Sequence, residues 1–185
     1  LLTIGLPTSA TIEFPVTAVI DLEAFEGMAA NLPQHLVLAE YFNYDRFGEV
    51  VVALPAPGES RPFSPTALFA PDSPEAAARA DLNRRSRITI DDGITAQNPS
   101  NVVHPITRDL FTLANAFRGG DTVSGLTGPI FEAFSLYRIL PYGDLDGDTI
   151  SDGYATYDKT VAPAAPDAVG GDLRVGKPWY LVGGM

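Results

Sequence analysis

Residues 119–141 read GGDTVSGLTGPIFEAFSLYRILP, and their reading decides the fold. Val123, Leu126 and Ile130 stand among small and turn-forming residues, and Phe134, Leu136 and Ile139 follow after a short break. The Gly119-Gly120-Asp121 turn feeds a strand with Gly125 and Gly128 inside it. Glycine within a strand marks a bend or bulge, where a sheet curls towards closure. A second strand over residues 135–140 returns beside the first. This is the corner of a small closed barrel.

Working outward, residues 87–91 form another strand closed by Asp92-Gly93, and residues 94–108 form a loop broken by Asn98-Pro99 and His104-Pro105. Residues 109–117 read as a short helix before the Gly119 turn. Further upstream, Asp72 and Glu75 have capping-box spacing and open a helix over residues 73–83, after a proline-rich loop from Pro55 to Pro71. Residues 28–44 alternate apolar and aromatic side chains as one or two strands. A tight turn at residues 45–48 then sends residues 49–54 back as a hairpin partner. Thr17 caps a short helix over residues 18–26 that Gly27 stops. Strand-rich order with an inserted helix predicts a mainly β fold, an OB-like β-barrel with one or two short helices. The expected organisation is an extended arm over 1–16, the barrel over 17–141 with its helix near 73–83, an Asp-rich loop over 142–160, and a linker with a C-terminal strand over 161–185.

At 185 residues the chain suits one domain with extensions, and 45% hydrophobic residues supply a core without staples. Cysteine is absent, which excludes disulfides and thiolate metal sites. No run approaches the ~20 apolar residues of a membrane helix, so no membrane partner is expected. The chain opens on Leu1 without an initiator Met, which reads as a processed product or internal fragment. The net charge of -11 lies mostly in residues 1–78, while residues 79–141 carry seven Arg against six acids. An acidic chain repels a phosphate backbone at long range, so nucleic-acid binding needs a local arginine patch or bridging cations.

The strongest chemical motif is Asp144-Leu145-Asp146-Gly147-Asp148-Thr149-Ile150-Ser151-Asp152-Gly153. Asp144, Asp146, Asp148 and Asp152 match positions 1, 3, 5 and 9 of a calcium loop, and the Ile150 carbonyl matches position 7. Thr149 replaces the usual Gly, and Ala155 stands where a bidentate Glu belongs. Asp158 can compensate by folding back. The expected ligand is Ca2+, because clustered carboxylates repel one another without a counter-ion. The alternative is a solvated acidic turn.

Arg84, Arg85 and Arg87, with Arg79 before them, run from the helix into the strand beside the rings of Tyr41, Phe42, Tyr44 and Phe47. Arginines with stacking rings suit single-stranded DNA or RNA. Equally, alternation buries some of these rings, and the arginines can pair with Asp81, Asp91 and Asp92. Glu40, Asp45 and Glu49 read as the solvated edge of a hairpin. His35 and His104 show no ligand spacing and read as surface or hydrogen-bonding residues.

Four segments, VTAVIDLEAFEGM (16–28), LVLAEYFNYDRFGEVVVAL (36–54), RSRITIDDGITAQNP (85–99) and LANAFRGGDTVSGLTG with the following YRILP (113–141), share an order and spacing. Together they resemble the OB-like accessory region of secreted bacterial endonucleases of the ExeM/NucH type. In that family the module precedes an endonuclease/exonuclease/phosphatase domain that cleaves DNA or RNA with divalent metal. The resemblance continues through AAPDAVGGDLRV (164–175), where the family's strand runs into a metal-binding Asn. Here Gly176-Lys177-Pro178-Trp179-Tyr180 follows, so no catalytic residue carries over. The resemblance implies an extracellular, nuclease-associated module without cleavage of its own. The alternative is an extracellular structural subunit that forms a homo-oligomer or filament by strand addition through its terminal arms.

Overall fold

Two bent ribbons set the architecture. The computed structural model describes residues 8–113, 115–143, 153 and 156–158. Its strands are Ala10–Thr11 (β1), Ala29–Leu32 (β2), Leu36–Glu40 (β3), Val50–Ala53 (β4), Arg87–Ile90 (β5), Thr122–Ser124 (β6), Leu126–Ala133 (β7), Leu136–Ile139 (β8) and Thr156–Asp158 (β9). A 3-10 helix spans Val19–Phe25, and α-helices span Tyr44–Phe47 (α1), Pro65–Leu68 (α2) and Pro74–Arg85 (α3). The strands make one sheet in the order β1-β2-β7-β8-β5-β4-β3-β6-β9.

Only Pro33, Gln34 and His35 separate β2 from β3, and only Gly125, in the left-handed region at φ 63°, separates β6 from β7. The two ribbons pair antiparallel on both sides of these bends, Leu32 with Leu126 and Leu36 with Val123. The sheet therefore curls into a barrel-like half-cylinder. Inward positions alternate with outward ones, as a pleated strand requires. Leu32, Leu36, Leu38, Val50, Val52, Ile88, Ile90, Leu126, Ile130 and Ile139 form its core.

The β7–β8 hairpin turns through Phe134 and Ser135, both at positive φ (55° and 62°), the geometry of a two-residue hairpin loop. Gly128 explains the glycine inside β7: a Cβ there would collide with the Leu140 carbonyl group. Residues 140–142 run against β7 at this point, with Leu140 N–H donating to Pro129 O and Tyr142 N–H to Thr127 O, both 3.1 Å.

Several local expectations change. Residues 8–16 are not a projecting arm. Ala10 and Thr11 pair parallel with β2, and Ile12, Phe14 and Val16 are buried in the core. The strap is fastened by reciprocal bonds between Gln34 and the Phe14 backbone (2.7 and 2.8 Å) and by Val16 N–H to Arg85 O (2.9 Å). Residues 1–7 and 159–185 lie outside the described residues. Helix α3 is capped by Ser73, whose hydroxyl accepts from Ala76 N–H, one residue later than the Asp72 capping box; Asp72 itself takes φ 61°. Pro65–Leu68 adds a helical turn inside the proline-rich loop. The 45–48 turn is the one-turn helix α1, ended by Gly48.

The described residues of 109–117 do not form a helix. Leu110 bridges to Val103, and the segment folds its rings inward, with Phe111 and Phe117 edge-on to Tyr44 at 5.2 and 4.7 Å. Burying two aromatics against a third outweighs the weak helical propensity of a stretch containing Thr112, Asn115 and Phe117. His104 is fully buried, and its Nδ1 accepts from the Ile106 and Thr107 amides, so it is a hydrogen-bonding residue.

Candidate functional site

The outward positions of the curled sheet carry the candidate site. On β5, Ile88 and Ile90 face the core, which leaves Arg87 and Thr89 outward. On β4, Val50 and Val52 point in, leaving Val51 and Ala53 outward. Three adjoining cavities open on this face, of about 140, 250 and 380 Å³. Arg87 lines all three; Arg84 lines the two larger, and Leu136 and Glu40 each line two. They form one trough, bounded by α3 and residues 62–65 at one end and by residues 40–43 at the other. Two aromatic rings stand in solvent on its flanking loops: Phe42 after β3 (72% exposed) and Phe134 on the β7–β8 turn (88% exposed).

The sequence candidates divide between this trough and the scaffold. Arg84 and Arg87 belong to the trough. Arg84 Nη2 meets Asp81 Oδ1 at 2.8 Å and Arg87 Nη1 meets Glu40 Oε1 at 2.6 Å, in largely solvated pairs. Arg85 is committed elsewhere, with Nε on Asp81 (2.7 Å) and Nη1 on the Val16 carbonyl (2.8 Å), where it holds the strap. The Arg85 hydrogen bond holds the Asp81 carboxyl below its usual range. Tyr44 is a core ring, and its hydroxyl donates to Val103 O at 2.9 Å, so it has no face to offer a base. Burial, with the nearby Asp92 charge, pushes its phenol up. Tyr41 packs edge-on to Phe117 at 5.9 Å, on the aromatic cluster. The ring that does stand at the trough is Phe42, and the ring the candidate set omits is Phe134. The signal for Phe134 is its turn position: a large ring at a hairpin tip stays mostly in solvent, here with one face over the Arg138 guanidinium, 5.6 Å from the ring centroid.

Beneath the trough lies a buried ionic cluster. Arg138, on β8, is nearly excluded from water; its Nη1 reaches Glu49 Oε1 (2.7 Å) and Asp91 Oδ2 (2.6 Å), and its Nε reaches Ala133 O (3.2 Å). It ties the end of β5, the start of β4 and the β7–β8 turn together. The Asp91-Asp92-Gly93 turn is held by Gly93 N–H on Asp91 Oδ1 and Ile94 N–H on Asp92 Oδ1, both 2.7 Å. Asp92 is 4% exposed, and its Oδ2 has no hydrogen-bond partner. This oxygen lies where a Cβ on Gly48 would sit, and Gly48 is at φ 72°, so only glycine fits there. Burial raises the Asp92 carboxyl, an effect to which the Asp91 charge adds.

Among the described residues, no group of three or more His, Asp or Glu is placed to hold a metal ion, and no helix is long and apolar enough to cross a membrane. The calcium-type residues Asp144, Asp146, Asp148, Ile150 and Asp152 lie outside the described residues. Comparison with known proteins gives no match to a family model, to a curated protein or to a solved structure. The functional reading therefore rests on the trough itself.

Proposed function

We propose that this chain is a non-catalytic binding module built on an OB-type barrel, and that its outward trough takes an extended single strand of nucleic acid. The strand pairings support the barrel reading. Counting β2–β3 and β6–β7 as single bent strands, β3, β4 and β5 form an antiparallel meander, β5 pairs parallel with β8, β8 returns to β7, and β7 pairs with β2. That order agrees with the five-stranded OB kind, in which the second and third strands and two flanking loops carry oligonucleotides. The trough lies on the equivalent strands, β4 and β5. Phe42 and Phe134 lie on the equivalent loops.

The observation that carries the reading is Arg87 as the shared wall of three adjoining cavities, one of them also lined by the solvent-exposed Phe42. A guanidinium supplies phosphate contact, and rings supply sequence-tolerant stacking worth about 1–3 kcal/mol per base. Fluorescence anisotropy with a labelled single-stranded oligonucleotide of about ten nucleotides at low salt is the test. Saturable binding that weakens at least tenfold in Phe42→Ala is expected; absence of binding at low salt sinks the proposal.

Calcium belongs to the same proposal. Asp144, Asp146, Asp148, Asp152 and the Ile150 carbonyl would hold Ca2+ and stiffen the chain that leaves β8. Isothermal titration with calcium chloride, before and after D146N/D148N substitution, measures it directly. An extracellular, nuclease-associated setting is consistent with an acidic, cysteine-free module that supplies binding while another domain cleaves.

A second reading, assembly by strand addition, is favoured by the sheet's two ends. Among the described residues, the terminal strands β1 and β9 are two and three residues long and pair on one side only. Gel filtration and electron microscopy distinguish it, since a monodisperse monomer at high concentration is incompatible with assembly.

A further inference from the structure

We propose that Glu40 is a built-in competitor for the trough, a carboxylate that occupies Arg87 until a ligand phosphate displaces it. The inference rests on the binding function proposed above and concerns how that site is regulated.

The argument starts from an irregularity in β3. Leu36 and Leu38 face the core, so strict alternation would turn residue 40 inward as well. A carboxylate there would be buried without a partner among Val52, Ile88 and their neighbours. Instead the ladder shifts register between Leu38 and Glu40: Leu38 lies opposite Val52, but Glu40 lies opposite Val51 rather than Val50. Val51 is an outward residue that lines the trough. The bulge thus moves Glu40 onto the outer face, where it lines two of the three cavities. Bulges commonly re-aim a side chain in this way.

The carboxylate delivered by the bulge meets the one guanidinium common to all three cavities, at 2.6 Å. The pair is built to exchange. Arg87 and Glu40 side chains are 36% and 56% exposed, and exposed pairs contribute little net free energy. A phosphodiester presents two oxygens to the same fork and brings a base to stack nearby. By contrast, the Arg138 pairs beneath are 3% to 14% exposed and are not available for exchange. The fold therefore separates a fixed arginine cluster from an exchangeable one. Glu40 is a positioning residue: it acts on the ligand through Arg87.

The test is anisotropy with the same labelled oligonucleotide on wild type, Glu40→Gln and the control Glu13→Gln, which removes an exposed charge away from the trough. Glu40→Gln is expected to bind about 2- to 5-fold tighter than wild type. Glu13→Gln should change affinity by less than about 1.5-fold, because its charge lies outside the trough. A merely structural Glu40 would give weaker binding or lower thermal stability in Glu40→Gln. Wild-type binding that Glu40→Gln leaves unchanged or weakens overturns the competitor. If neither wild type nor Glu40→Gln binds, both proposals fall.

Discussion

Gly128→Ala is the sharpest probe of how the sheet curls. A Cβ at residue 128 lands on the Leu140 carbonyl group and within 3.2 Å of the Pro141 Cα. All of these contacts are backbone, so no rotamer change relieves them. The segment after β8 must move away from β7, which breaks the Leu140–Pro129 and Tyr142–Thr127 hydrogen bonds that flank the glycine. Two such bonds at about 1 kcal/mol each, with about 1–3 kcal/mol for overpacking, give a loss of about 3–5 kcal/mol. That is a large part of the ~5–15 kcal/mol available to a domain of this kind. Urea denaturation followed by tryptophan-independent far-UV circular dichroism should show a midpoint lowered by about 2 M at unchanged slope. Gly143→Ala, where nothing lies within 4 Å of the added Cβ, is the control and should shift little. A Gly128→Ala protein as stable as the control would refute the close approach of residues 140–142 to β7.

Phe14→Ala should cost about 3–5 kcal/mol in the same assay, because residue 14 is a buried core ring rather than part of a free arm. Arg138→Met leaves Glu49 and Asp91 facing each other without their shared cation, and a loss of about 3–5 kcal/mol in urea is expected at neutral pH. The Asp92 carboxyl is raised chiefly by burial, so just above the ordinary carboxylate range, about pH 4, the folded chain keeps a proton that the unfolded chain has lost. Wild-type stability is expected to fall as pH rises through that window, and Asp92→Asn should flatten the curve and exceed wild type at neutral pH. Urea titrations from acidic to neutral pH would show this, and an Asp92→Asn variant that is less stable than wild type throughout would contradict it.

The curled sheet was legible because its devices leave marks in the sequence. Gly125 and Gly128 sit where one ribbon bends and where a second backbone approaches it, and Asp92-Gly93 closes β5 as its composition suggests. In the strap, Thr11–Val16 alternates Ile12, Phe14 and Val16 against polar or exposed positions. That pattern fits a free strand and a docked one equally, and only the tertiary partners Gln34 and Arg85 decide between them. Among the candidate site residues, sequence adjacency grouped Arg84, Arg85 and Arg87. The helix-to-strand junction then sends Arg84 and Arg87 to the trough and Arg85 back to Val16. Alternation allows that some of these rings are core but does not single out Tyr44, whose partners, Val103, Phe111 and Phe117, come from a distant loop that carries no periodic pattern.

The central claim is that the outward face of β4 and β5 is the binding surface. Backbone amide NMR of the protein titrated with the unlabelled oligonucleotide tests it most directly. The largest shifts are expected at Glu40, Phe42, Arg87, Thr89 and Leu136, with the strap residues Ile12 and Phe14 unmoved. Shifts confined to other faces, or none at saturating oligonucleotide, would contradict the account.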